Sequence, residues 1–196
     1  TQSMGMVPID AVASGADVII SSGYKWLRGT YGASVGYLSP EAKKLVPGIV
    51  GFRSNEDIWD MRSDRMNLPE DASRFEFTTL HFGALRGLAA SIEEMLEIGI
   101  EKIWEHDLSL SGMVVQLANA RGLVVTSPTD DDQRSAIVSI RPPPEHHSAE
   151  IVRRLQDEFG ILVTDRSGMI RVSPHIDNDH SQIEFLFTSL DTILAK

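Results

Sequence analysis

Residues 19–38 read IISSGYKWLRGTYGASVGYL, a strand ending and a strand beginning with a lysine set between them. The apolar run Ala16-Asp17-Val18-Ile19-Ile20 stops at Ser21-Ser22-Gly23, and Lys25 follows between Tyr24 and Trp26. Apolar segments bounded by Ser, Gly and Pro predict strands over Ala16–Ser21 and Ala33–Leu38. No long crossover separates them, so they are expected to be antiparallel neighbours. Both runs are apolar on both faces, the pattern of strands covered on two sides. Only one short helix is predicted nearby, so the covering surface is expected from protein outside this chain, and the sequence reads as the second half of a larger fold.

Working outward, Ser39-Pro40-Glu41 has the form of a helix start, with a hydroxyl cap, proline at the first position and an acid in the first turn. Gly48 to about Leu80 holds no period and is expected to be irregular, with Arg53, Arg62, Arg65 and Arg74 arguing against disorder. Phe82–Ile98 and Ile100–Ala120 have helical apolar spacing, with Gly99 and Gly122 as stops. The tail alternates: strands Leu123–Thr126 and Ala136–Arg141, a Pro142-Pro143-Pro144 break, and a helix Ala149–Phe159 capped by Ser148 and ended by Gly160. Strand Ile161–Thr164, a Ser167-Gly168 turn, strand Ile170–Ser173 and a last helix from about Asp179 complete a small α+β domain.

Composition narrows the function classes. A net charge of -10, with no run of Lys or Arg, excludes a nucleic-acid surface, which needs clustered cations against phosphate. The chain has no cysteine, so it offers no disulfide, thiolate metal site or thiol nucleophile. No apolar segment approaches the length of a membrane span and no signal peptide is evident, so a cytoplasmic, reducing location is expected. The histidines His106, His146, His147 and His180 lack metal-ligand spacing, and no metal site is expected.

Lys25 itself admits two readings, a solvated loop lysine or a Schiff-base lysine with a partly desolvated amine, and spacing alone leaves both open. The ordered set Gln2, Gly5, Pro8, Asp10, Ser22, Tyr24, Lys25, Gly32 and Gly36 resembles the cofactor-lysine region of the class V aminotransferase family of pyridoxal-phosphate enzymes. The family includes cysteine desulfurases, kynureninases and isopenicillin N epimerase-like proteins. RFEFTTLHFGALRGLAASIEEMLEIGIEKIWEH and GILVTDRSGMIRVSPHIDNDHSQIEFLFTSL resemble two later blocks of the same family, so the likeness spans nearly the whole chain.

The resemblance implies pyridoxal 5'-phosphate as cofactor, an amino-acid substrate and chemistry at its α-carbon. Lys25 would form the Schiff base and shuttle the proton. Ser22 would hold the phosphate with help from Tyr24, where many relatives carry histidine. Gln2 would contact the ring hydroxyl, and Thr79 would reach a phosphate across a dimer interface. Arg171 would grip the substrate carboxylate through a bidentate fork that lysine cannot offer.

The implied fold class is α/β. Residues 1–105 would end a large, mostly parallel cofactor-binding domain, and residues 106–196 would form the small α+β domain. The family's partner for the ring nitrogen, its stacking aromatic and its phosphate loop lie upstream of the position matched by Gln2. The resemblance therefore implies an enzyme incomplete as this chain alone, whose partner would be a homodimer mate or a missing N-terminal half, with an oligomer interface near Gly48–Leu80. Cysteine desulfurase is not expected, because Thr164 runs to Arg171 with no insertion and no thiol. The alternative from another class is a non-catalytic remnant serving as a binding module, opposed by the retention of Lys25, Ser22 and Arg171.

Overall fold

A computed structural model describes residues 1–195, which fall into two compact units, Thr1–Ile98 and the residues from Gly99 on. The first unit begins with β1 (Val18–Ser22) and β2 (Ser34–Leu38), an antiparallel pair with Ile20 opposite Gly36 and Ser22 opposite Ser34. Two-sided burial of these strands is not found within this chain. Ile20 is 71% exposed and Val18 47%, because the unit's one long helix, α1 (Phe82–Ile98), reaches the loop after β1 through Leu88.

The helix predicted after Ser39 shrinks to a 3₁₀ turn at Ala42–Lys44, entered by the Ala42 N–H donating to Ser39 Oγ at 3.1 Å. Pro47 and Gly48 leave too few residues to offset the cost of nucleating an α-helix. Residues 48–80 are irregular, with 3₁₀ turns at Phe52–Ser54 and Ala72–Phe75. Arg53 joins them by an ion pair to Glu76 at 3.0 Å. Arg74 donates to the carbonyls of Pro69 and Leu45.

The second unit opens with α2 (Ile100–Ala120), separated from α1 by Gly99 at φ 95, a backbone conformation that L side chains rarely adopt. It continues through β3 (Val124–Val125), β4 (Val138–Arg141), α3 (Ser148–Phe159), β5 (Thr164–Arg166), β6 (Met169–Val172) and α4 (His180–Leu194). The strands form one antiparallel sheet in the order β3-β4-β6-β5. Ser167 and Gly168 both take left-handed φ and close the β5–β6 hairpin by a two-residue turn.

Alternation puts Val138, Ile140, Ile170 and Val172 on one sheet face, where α2, α3 and α4 bury them with Leu110, Leu155 and Phe187. Full burial of each large apolar side chain contributes about 1.5–3 kcal/mol. α4 starts with a capping box between Asp179 and Gln182. Ser148 does not cap α3 as its position suggests; His147 is the N-cap residue, and the Ser148 hydroxyl donates to Asp165 on β5 at 2.5 Å. Among the described residues no helix is long and apolar enough to cross a membrane.

Candidate cofactor-lysine loop

The loop after β1 is built by close approach. A Cβ on Gly23 would lie 2.8 Å from the Leu88 methyls, and one on Gly29 would lie 2.7 Å from the same side chain. Glycine at both positions lets Leu88, itself buried, seat the turn directly on α1. Backbone bonds then close it: Gly23 N–H to the Ala33 carbonyl at 2.9 Å, Arg28 N–H to Lys25 at 2.8 Å, and Gly29 N–H to Gly23 at 2.8 Å. Trp26 and Leu27 are buried, which turns the preceding residues outward, and Lys25 is exposed. Its Nζ lies 5.7 Å from the Tyr24 ring centroid, and Tyr24 stacks on Tyr31 at 4.5 Å between centroids.

The first residues of the chain pack against this loop. The Ser22 N–H donates to Thr1 Oγ1 at 3.1 Å, which places Gln2 beside the end of β1. Gly5, at φ 96, approaches so closely that a Cβ there would lie 2.4 Å from the Trp26 carbonyl oxygen. Among the described residues the Ser22 hydroxyl and the backbone N–H groups of Tyr24 and Lys25 have no hydrogen-bond partner. A hydroxyl and two free N–H groups at a strand end form a set of donors suited to a phosphate dianion.

Gln2, Ser22, Tyr24 and Lys25 thus share one loop region. Thr79 is exposed in the segment leading into α1, two residues before His81, whose Cδ2 would lie 3.5 Å from a Cβ on Gly32. Arg171 belongs to the second unit, on β6, between Ser139 of β4 and Thr164 of β5 in the ladder. Its Nε is buried and has no hydrogen-bond partner, a costly state for a charged group unless a ligand satisfies it. Among the described residues no cluster of His, Cys, Asp or Glu is arranged to hold a metal ion.

Sequence reasoning missed the contribution of Thr1, whose hydroxyl ties the chain's first residues to the end of β1, because a 21-residue separation carries no local signal. It also passed over His81, whose Nδ1 accepts the Ala84 N–H at 3.2 Å and so caps α1; a histidine one position before a periodic apolar run was the available cue.

Residues 1–186 match the family model described as Aminotransferase class-V. A probable cysteine desulfurase of Pyrococcus abyssi (strain GE5 / Orsay) is 27% identical over 207 residues, covering 98% of this chain and 50% of that protein. A kynureninase of Geobacillus thermodenitrificans (strain NG80-2) is 25% identical over 179 residues, covering 88% of this chain and 41% of that protein. Among solved structures, the apo cysteine desulfurase from Thermococcus onnurineus NA1 superimposes with a TM-score of 0.85 at 23% identity, over 98% of this chain and 50% of that one. The chain spans about half the length of the curated relatives it matches. With the family model running from the first residue through the lysine loop, the β-sheet unit and into α4, the chain belongs to the aminotransferase class-V family.

Proposed function

We propose that this chain supplies the lysine and carboxylate-binding portion of a pyridoxal-phosphate enzyme that acts at the α-carbon of an amino acid. The observation that carries the reading is the lysine loop: within the family match, Lys25 follows directly on unpartnered donors at the end of β1, on a turn seated against α1. A solved relative of 21% identity, a mutant of the cystine C-S lyase C-DES, carries glycine covalently linked to its PLP cofactor, and the donor set here suits the phosphate of that group. Pyridoxal phosphate supplies an electron-withdrawing ring that stabilises charge left at Cα.

Lys25 would hold the cofactor's aldehyde carbon through its primary amine, with water as the leaving group, and once displaced by the substrate amine it would take and return the proton at Cα. The Ser22 hydroxyl and the neighbouring backbone N–H groups hold the phosphate, with Tyr24, fixed by its stack on Tyr31, beside them. Gln2 addresses the ring hydroxyl and Thr79 a phosphate across a dimer interface. Arg171 binds the substrate α-carboxylate through two parallel hydrogen bonds, one involving the Nε that is otherwise unpartnered. Since the chain has no cysteine, none of its residues can accept sulfur as a thiolate, which favours an amino-transfer, lyase or epimerase reaction without a persulfide on this chain.

The test is borohydride reduction in the presence of pyridoxal phosphate, followed by peptide mass mapping, with Lys25→Ala as control. A pyridoxyl adduct at Lys25 and its loss in the variant are expected. If no adduct forms even when an N-terminal half from a relative is added, the enzyme reading fails and a non-catalytic role for the fold takes its place.

A further inference from the structure

The face of the β3-β4-β6-β5 sheet opposite the helices is cationic in a specific way. Because directly paired residues share a face, Ser139, Arg171 and Thr164 form one cross-strand row. The next row holds Arg166 opposite Met169, and the β4–β6 register continued by one residue sets Arg141 on the other side of Met169. Arg141 pairs in turn with Val124. Arg171 is therefore flanked diagonally by two further arginines, whose backbone positions lie at the ~7–8 Å spacing of diagonal cross-strand neighbours. Arg141 and Met169 also line a common open cavity of about 650 Å³, walled by Pro142, Pro143 and Pro144, residues without an N–H to offer an anion.

What separates these three arginines from the rest of the unit is their lack of partners. Arg121, Arg134, Arg153 and Arg154 are each ion-paired to a nearby acid. Among the described residues Arg141, Arg166 and Arg171 make no ion pair and no side-chain hydrogen bond, although the chain carries a net charge of -10. Three like charges on one face repel one another, and a face that keeps acids away from all three is suited to an anion that comes from outside.

We infer that Arg141 and Arg166 form a second anion subsite beside Arg171, so that the ligand of this sheet face is a dicarboxylate, an amino acid with an acidic side chain. Arg171 takes one carboxylate and the flanking pair takes the other, with the Ser139 and Thr164 hydroxyls available between them. The inference rests on the amino-acid reading above for the role of Arg171, and deepens it by naming the substrate class.

The experiment avoids the cofactor. Glutarate, butyrate and inorganic sulfate are titrated into the full chain and followed by NMR chemical shifts. Glutarate is expected to bind at least about tenfold tighter than butyrate, as two charge-assisted contacts against one imply. In Arg141→Gln and in Arg166→Gln, both substitutions at exposed positions, the preference is expected to fall toward one, and Arg171→Gln is expected to weaken both ligands. The inference is overturned if glutarate shows no preference over butyrate or no binding, if sulfate binds as tightly as glutarate, or if the preference survives both flanking substitutions. Preference without a Lys25 adduct would keep the subsite while removing the cofactor reading, and an adduct without preference would do the reverse.

Discussion

Gly5 shows how a single atom positions the lysine loop. Its φ of 96 and the 2.4 Å that a Cβ would leave to the Trp26 carbonyl leave no room for a side chain, and the obstacle is backbone, which cannot swing aside. Gly5→Ala is expected to cost at least about 1–3 kcal/mol from backbone strain and clash together, read as a lower urea midpoint, with increased exposure of Trp26 in fluorescence. An unchanged midpoint would mean that the first residues do not press on the loop. At this scale the placing of Lys25, Ser22 and Gln2 at one strand end was legible, because the residues that carry the family resemblance keep a fixed order there. Arg141 and Arg166 were not, because their shared face exists only once the register of β4, β5 and β6 is known, and no local spacing encodes register between strands.

Among the elements, α1 and α2 were readable in full, since long apolar periods broken by Gly99 leave one solution. The strands of the tail were readable in existence and shifted at their ends: Thr164–Arg166 pairs where Ile161–Thr164 was expected, because ladder ends are set by the partner strand. Ser148 illustrates the same limit, its hydroxyl taken by Asp165 rather than by the helix it begins. One clasp between elements makes a pH prediction. Arg121 at the end of α2 donates to both Asp191 oxygens on α4, at 2.7 and 2.8 Å, and its guanidinium lies 5.2 Å from the Phe187 ring centroid.

That guanidinium, through its hydrogen bonds to the carboxylate, holds Asp191 below the usual carboxylate range. A depressed folded-state value means that the contribution to stability is present above the unfolded-state pKa and is lost as pH falls through the folded-state one. Asp191 is half exposed, so the pair is partly screened, and Asp191→Asn is expected to cost only about 0.5 kcal/mol at neutral pH. The gap between the two urea midpoints is expected to narrow below about pH 4 and to close at lower pH. A gap constant with pH would assign the contact to packing alone.

For the whole molecule, exposed apolar surface is the dominant feature of the first unit. Besides Ile20, the irregular segment presents Ile49, Val50, Trp59, Met61 and Met66 to solvent. Clusters of this kind mark interaction surfaces. Solution mass by light scattering is expected to exceed 21.6 kDa, with self-association through this segment; Trp59→Ser and Met61→Ser together are expected to shift it toward the monomer. A well-folded, strictly monomeric chain at high concentration would remove the dimer from the proposal. That Val18 and Ile20 would lack cover within this chain was legible from strands apolar on both faces beside a single short predicted helix; which residues of the aperiodic segment would be exposed was not, since no repeat there separates an inner face from an outer one.

The burial of Trp26 immediately after Lys25 has an optical consequence. Of the three tryptophans, Trp26 is 7% exposed, Trp59 is 78% exposed and Trp104 is intermediate, so dissolved iodide reaches Trp59 most readily and Trp26 least. A chromophore carried on Lys25 would lie one residue from the shielded emitter and draw its energy by resonance transfer. Loading of the lysine would thus dim the iodide-resistant fraction of the emission, making the loop its own gauge of occupancy.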